Sequence, residues 1–370
     1  MNILYVHNVA KIGGAERVTL DIIRGLDGGP HQAFLVTPEK GPFLDAAREL
    51  GANVCALDIQ QPDVKKPIQT VKAYRRWLKF LREHEIDLIH TGDLFVTRTL
   101  VQPAKKLAIP LVCHVHFPVE VPALNWIFKT RPYQCHFVYC SHELHETVSQ
   151  RVETVLRASS HQVIHNGVDV DLFKPFSSEK RILPPNKTNI GIVANLQERK
   201  GHLDLIEAIS KLHPNYPDIR VHIIGGDLFG DSRERLLKER ITELGLDNLF
   251  VFHGQVKNVR DYLNELDIVV CASHQEAFPI SMLEAMAFDL PIVTTDVNGI
   301  PEAIRDDESG LLFPAQDTEA MACALEKLLE NPEKRRRLGR HARVRVVEQF
   351  SQVRFQEKLS DFYRQAEEWM

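Results

Sequence analysis

The chain has 370 residues, which predicts about two domains at a typical one to two hundred residues each. Its 44% apolar and 26% charged residues are the balance of a globular protein rather than a disordered or fibrous one, and a net charge of −5 excludes any overall pull towards nucleic acid. The longest charge-poor stretch, 107–119, holds only thirteen residues including two His and two Pro, far short of the roughly 20 that a membrane-spanning helix needs.

The amino terminus, Met1 to Asn8, has no early Lys or Arg, and its apolar run is broken by His7 and Asn8. It lacks the architecture of a signal peptide, so a cytoplasmic location is expected. Six cysteines (55, 113, 135, 140, 271, 323) lie mostly in apolar stretches without a C-x-x-C pair, which suits reduced packing thiols better than disulfides or a zinc site. Residues 2–6 form a short apolar strand, followed by a loop ending in Gly13-Gly14 and a helix whose Ala15, Val18, Ile22 and Leu26 repeat at helical spacing. Strands near 33–37, 53–59, 86–90, 109–115, 135–140 and 161–165 alternate with helical segments, the pattern of a parallel sheet wrapped by helices. Residues 174–188 are rich in proline and polar residues and read as a linker.

A second α/β series follows. Strands near 189–193, 220–224, 249–252, 267–271, 291–295 and 310–313 alternate with helices at 201–212, 232–244, 258–265, 279–288 and 317–330. The expected domains are 1–175, a linker at 176–188, a second domain over 189–348, and a terminal helix over 349–370 packing back on the first domain through Phe355, Leu359, Phe362 and Tyr363. Two tandem Rossmann-like, doubly wound domains bind ligands at the carboxyl ends of their strands, so a cleft between them is the expected active site.

The strongest local signal runs from Glu276 to Ala287, where the strand ending at Ser273 feeds a helix. Pro279 suits a first helical position, which leaves the amides of Ile280, Ser281 and Met282 as an anion site for phosphate. Glu276 precedes the helix and Glu284 lies in its second turn, so the two carboxylates reach different parts of an extended ligand. Standing alone, the segment would read as two solvated glutamates at an ordinary helix start.

Glu276 and Glu284 have the E-x7-E spacing of the retaining nucleotide-sugar glycosyltransferases of family 4, and nearly the whole chain resembles that family. The further matching pieces, in order, are Gly13-Gly14-Ala15-Glu16, His116, Asn166-Gly167-Val168-Asp169 with Phe173, Arg199-Lys200-Gly201, Gly254, and Asn298-Gly299-Ile300-Pro301-Glu302. The resemblance implies the two-domain GT-B fold, with acceptor handled mainly by the first domain and nucleotide sugar by the second. It makes His116, Glu276 and Lys200 the catalytic set. It also implies donor binding by Gly13, Gly14, Asn195, Arg199, Lys200, Glu276, Phe278, Pro279, Ile280, Ser281 and Glu284. In that scheme Glu276 holds sugar hydroxyls, Glu284 the ribose, and Lys200 the diphosphate, whose developing charge needs a cation and helix amides but no metal or other cofactor. One departure stands out: Ala194-Asn195-Leu196 replaces the Gly-Arg-Leu of many members, a neutral amide for a cation, with Arg199 nearby.

The implied function is retaining transfer of a sugar from a nucleoside diphosphate, UDP favoured over GDP, to a glycan or lipid-linked acceptor in cell-envelope polysaccharide or glycolipid synthesis. The alternatives are an epimerase or phosphorylase on the same fold, or a nucleotide-sugar-binding subunit without turnover. No G-x-G-x-x-G and no P-loop sequence occur, which lowers dinucleotide and P-loop readings. His114 shares a strand face with His116 and is its decoy. Asp169-Val170-Asp171 reads as a turn rather than a metal motif. In His142-Glu143-Leu144-His145-Glu146 the second His comes one position too early for a zinc-protease helix, and Ser141 reads as that helix's cap. Basic runs at 65–82 and 334–345 read first as solvated helix faces. In the earlier run Tyr74, Trp77 and Phe80 offer the alternative of peripheral contact with an anionic membrane.

Overall fold

The computed structural model describes residues 1–369 apart from Glu179, Leu228, Phe229 and Asp231. The chain divides into two compact units, one of residues 1–166 together with the segment from Phe355 onward, the other of 167–354. Packing therefore breaks after Asn166, and the segment read as a linker, 176–188, lies in the second unit; its Glu179, like the terminal Met370, lies outside the described residues.

The first unit runs β1 (Asn2–Val6), α1 (Gly14–Leu26), β2 (Gln32–Thr37), α2 (Pro42–Glu49), β3 (Asn53–Ala56), α3 (Pro67–Glu83) and β4 (Leu88–Thr91). It continues through α4 (Leu94–Leu107), β5 (Leu111–Val115), α5 (Val121–Ile127), β6 (Cys135–Tyr139), α6 (His142–Val155) and β7 (Ser160–Val163). Its seven strands are ordered β3-β2-β1-β4-β5-β6-β7, with every pair parallel. Central strands such as Ile3-Leu4-Tyr5-Val6 are apolar at consecutive positions because helices cover both faces of a parallel sheet, whereas the edge strands β3 and β7 are only half-buried.

The second unit runs β8 (Thr188–Val193), a 3-10 turn (Glu198–Lys200), α7 (His202–Leu212), β9 (Ile219–Ile224), α8 (Arg233–Glu243), β10 (Phe250–Gly254), α9 (Val259–Leu263) and β11 (Ile268–Cys271). Then come α10 (Ile280–Ala287), β12 (Ile292–Thr295), α11 (Ile300–Ala303), β13 (Leu311–Phe313), α12 (Thr318–Glu330) and α13 (Pro332–Gln349). Its six parallel strands are ordered β10-β9-β8-β11-β12-β13. The expected α/β class with two doubly wound sheets is the fold found. In each sheet the strand order reverses beside the first strand, between β1 and β4 and between β8 and β11, and open sheets of this kind take ligands at the carboxyl ends beside that reversal.

The last helix, α14 (Gln352–Glu367), buries Phe355, Leu359, Phe362, Tyr363 and Ala366, a spacing that lines one helix face. From Phe355 it belongs to the first unit, where the Tyr363 hydroxyl lies 2.7 Å from both the Tyr5 hydroxyl and His90 Nδ1, and Trp369 stacks on His136.

Two expectations need correcting. Trp77 and Phe80 are core residues of α3, 0% and 8% exposed, because Ala73, Trp77, Phe80 and Leu81 form the buried stripe of the helix; they are closed to a lipid interface. The cysteines are free thiols, but they are not all packing residues, since Cys55 and Cys271 are half-buried and Cys323 is exposed.

Candidate functional site

In the second unit, β8 and β11 end side by side and two short segments leave them. The one after β8 holds Asn195 and the turn Glu198–Lys200, which closes on Gly201 at φ +68°. A Cβ on Gly201 would stand 1.9 Å from the Ala272 carbonyl oxygen, so only glycine lets this turn lie against the end of β11. Three further bonds fix the approach. The His274 amide donates to the Arg199 carbonyl at 2.7 Å, His274 Nε2 meets Asp204 Oδ2 at 2.6 Å, and Arg199 Nη1 donates to the Gln275 carbonyl at 3.2 Å.

These contacts bring Lys200 Nζ onto the Glu276 carboxylate and hold the Arg199 guanidinium 3.7 Å from the same oxygen. The Ser273 hydroxyl donates to it at 3.4 Å, and the Glu276 amide donates to Asn298 Oδ1 at 3.2 Å. Glu276 is 8% exposed and Glu284 3%, so neither is the solvated carboxylate that an ordinary helix start would carry. Burial of an ionised carboxylate is tolerated where cations and donors compensate it, which is what Lys200, Arg199 and Ser273 do at Glu276.

Pro279 is the residue that caps α10, at φ −76° and ψ 122°, rather than its first helical residue as expected. The amides of Ile280, Ser281 and Met282 then form the first turn, where no intrahelical acceptor is within reach. Lys200, Ser273, Pro279 and Ser281 line one narrow pocket together with Val193 and Ala194. Phe278 is buried and packs edge-on to Phe350 at 5.2 Å, so its ring belongs to the core. Asn195 is half-buried, its carbonyl accepting from the Gln197 amide.

In the first unit, Gly13 caps α1 and donates its amide to Glu16 Oε2 at 3.0 Å, while a Cβ there would lie 2.9 Å from that oxygen. A Cβ on Gly14 would meet nothing within 4 Å, which leaves open space at the start of the helix. Glu16 Oε1 is 3.1 Å from His7 Nδ1, and His7 Nε2 is 2.8 Å from Thr19 Oγ1. Burial opposes ionisation of Glu16, but the His7 hydrogen bond and charge with the amides of Glu16 and Gly13 outweigh it and hold the carboxyl below its ordinary pKa.

His116 follows the end of β5 and stacks on His114 with ring centroids 4.2 Å apart; His114 in turn lies 5.4 Å from His90. Burial, and then the charge of His7, push the His116 pKa down to about 4 against a weaker opposing pull from Glu16. The ring is thus neutral near pH 7, and among the described residues its buried Nε2 has no hydrogen-bond partner. His114 sits on the same face, as the alternation of strand side chains requires, but it is 2% exposed.

The predicted residues fall into two groups at the carboxyl ends of the strands: in the first unit Gly13 and Gly14 follow β1 at the strand-order reversal and His116 follows β5, one strand beyond it, while Asn195, Arg199, Lys200, Glu276, Phe278, Pro279, Ile280, Ser281 and Glu284 lie at the reversal of the second. Sequence reasoning assigned no role to His7, Asp204, Ser273, His274 or Asn298, whose contacts with the site couple residues up to 75 positions apart and leave no local pattern. The decoys behave as turns and caps: Asp169 Oδ1 accepts the amides of Asp171 and Leu172, and Ser141 Oγ accepts the Leu144 amide.

Two family models divide the chain, "Glycosyltransferase Family 4" over residues 12–172 and "Glycosyl transferases group 1" over 173–345. A Bacillus subtilis protein named as a glycosyltransferase, EpsD, is 26% identical over 80% of this chain and 81% of its own length. A D-inositol 3-phosphate glycosyltransferase of Saccharomonospora viridis is 33% identical over 55% of this chain, which spans half of that protein. Among solved structures, Anabaena Alr3699/HepE in complex with UDP-glucose superposes with a TM-score of 0.84 at 21% identity, covering 99% of this chain and all of the other. Sucrose-phosphate synthase of Thermosynechococcus elongatus superposes at 0.82 with 20% identity, covering 99% and 98%.

Proposed function

The chain belongs to the glycosyltransferases of the group 1 and family 4 type with the two-domain GT-B fold, and from that premise we propose that it transfers a hexose from a nucleoside diphosphate sugar with retention at the anomeric carbon. The acceptor is a glycan or lipid-linked precursor of the cell envelope, and uridine is the favoured base, as in the complex of the Anabaena protein. The single observation that carries the reading is the convergence of Lys200 and Arg199 on the buried Glu276 carboxylate beside the first turn of α10. A cation pair, unpaired amides and a carboxylate in one place answer the three parts of such a donor: diphosphate oxygens, the bridging oxygen that departs, and sugar hydroxyls that donate to Glu276.

In this scheme the bond from the anomeric carbon to the phosphate oxygen breaks as the acceptor oxygen bonds on the same face, and the acceptor proton passes to the departing phosphate. Lys200 and the α10 amides stabilise the charge that develops there without a proton transfer, so no divalent metal takes part in the chemical step. Glu284 receives the ribose hydroxyls. His116, neutral at its lowered pKa, offers Nε2 to a sugar hydroxyl or to the acceptor. Asn195, where many relatives carry a cation, is the feature that favours the rival reading of a binding subunit without turnover.

Transfer assays on metal-stripped protein, with UDP- and GDP-hexoses and excess chelator, test the reading. Chelator-resistant turnover with an axial product bond from an axial donor is expected. Activity that returns only with magnesium or manganese would falsify the metal-free step, and nucleotide-sugar binding with no transfer or hydrolysis would favour the binding subunit.

A further inference from the structure

The surface around the start of α3 sets exposed apolar side chains beside a run of cations. Val64 is 86% exposed and Ile68 71%, with Val71 next to them on the outward side of the helix. Positions 68, 71, 72, 75 and 79 share that outward face, while 73, 77, 80 and 81 form the buried one. Between residues 59 and 82 the sequence has seven Lys and Arg against one acid, Asp63. Asp63 is spent on its own loop, its Oδ1 accepting the Lys65 amide and its backbone bonding both ways with the Thr70 hydroxyl.

Several exposed cations elsewhere sit beside an acid, as in Arg24 with Asp21, Arg48 with Asp45 and Lys211 with Glu319. Among the described residues, Lys65, Lys66, Lys72 and Arg75 form no ion pair. The apolar surface continues beyond α3. Gln61 Nε2 donates to the Phe95 carbonyl, Arg98 donates to the Pro62 carbonyl and stacks over Trp126 at 4.2 Å, and Phe95 and Trp126, both about half exposed, have their rings 6.3 Å apart.

We propose that this face docks the enzyme on an anionic phospholipid surface, with Val64 and Ile68 entering the boundary between headgroups and acyl chains while Lys65, Lys66, Lys72 and Arg75 meet phosphate and carboxylate headgroups. Charge complementarity selects this occupant. A protein partner would leave four cations to be matched one by one, whereas an anionic bilayer supplies diffuse negative charge beside an apolar layer, at the depth that short apolar side chains flanked by lysines can reach. The inference names the physical form in which a lipid-linked acceptor would be met, and it rests on the transfer reading for that purpose only, since vesicle binding is measured without turnover.

Co-sedimentation of the full chain with phosphatidylcholine vesicles containing 30% phosphatidylglycerol, against pure phosphatidylcholine, decides it. Binding to the anionic vesicles alone, weakened by salt, is expected. Lys65→Gln with Lys66→Gln should lower partitioning by about thirtyfold, on the basis of roughly 1 kcal/mol for each cation near the surface. Val64→Ser with Ile68→Ser should lower it while leaving the melting temperature unchanged, because both side chains already lie in solvent. Lys211→Gln, a paired cation of the second unit, should leave binding intact. Wild-type protein that ignores anionic vesicles, or binds neutral ones equally, overturns the proposal. So does self-association in the absence of lipid that Ile68→Ser abolishes, which would give the face to a second copy of the chain.

Discussion

Glu276 is a carboxylate held away from water with an ammonium and a guanidinium beside it, and the arrangement sets what a single substitution does. Lys200→Met removes the nearer cation and leaves Glu276 with Arg199 at 3.7 Å, so it should cost stability as well as rate. A charge-assisted bond that tightens as the leaving group gains charge is worth about 1.5–3 kcal/mol, so turnover should fall roughly tenfold to a hundredfold. Adding Glu276→Gln to that variant should recover stability, with a coupling of about 1–3 kcal/mol in urea denaturation, but should not recover turnover. Additive stability effects would show that the two side chains do not depend on each other. Glu284→Ala should act differently, raising the dissociation constant of the free nucleoside diphosphate in calorimetry while Glu276→Ala leaves it nearly unchanged. Both glutamates were legible from their spacing. Their burial was not, because it depends on strands and loops that arrive from elsewhere in the chain.

At the scale of elements, the site of the second unit is the junction of two loops, and Gly201 is where they touch. Gly201→Ala would require a left-handed conformation and place a methyl inside the Ala272 carbonyl oxygen, which should lower the stability of the second unit by at least about 2–3 kcal/mol in chemical denaturation. His274 and Asp204 tie the same loops from the outside, the one after β11 and the other in the first turn of α7. His274→Ala should therefore raise KM for the nucleotide sugar more than it lowers kcat, by a factor of several, and His274→Gln, which can still donate to Asp204, should restore part of the loss. Equal loss in His274→Ala and His274→Gln would argue against a bracing role. The Lys200-Gly201 pair was visible in the sequence as a motif. The brace was not, since neither a histidine after a strand nor an aspartate in a first helical turn is unusual by itself.

Over the whole molecule, the buried histidines set the response to acid. Burial holds His90 at about 3, His116, His136, His202 and His222 at about 4, and His114 well below its ordinary value. In the unfolded chain each of these would titrate near 6.5. Between roughly pH 6.5 and 4 the unfolded state therefore binds more protons than the native one, so stability should be level above about pH 6.5–7 and fall as pH drops below it. Asp93 and Asp289, whose pKa values burial raises, oppose this trend over the lower part of the range, but they are outnumbered. Urea midpoints measured from pH 7.5 to 5 check the sign, and a midpoint that rises on acidification would contradict it.

The sequence by itself determined the class of this protein. Apolar runs alternating with helical periodicity prescribe parallel sheets, and the pieces from Gly13-Gly14 to Asn298-Gly299, in order, carry the family resemblance. Each of these signals is local: a run, a turn or a spacing along one segment. Only the tertiary structure decided which polar groups compensate Glu276, that the His116 ring is neutral with an Nε2 unpartnered among the described residues, and that Trp77 and Phe80 are buried while Val64 and Ile68 face solvent. Those outcomes depend on desolvation and on partners brought together across tens of residues by strand order. A linear pattern assigns a residue to a helix or a strand, but whether its charge or its ring is buried is fixed by what packs against it.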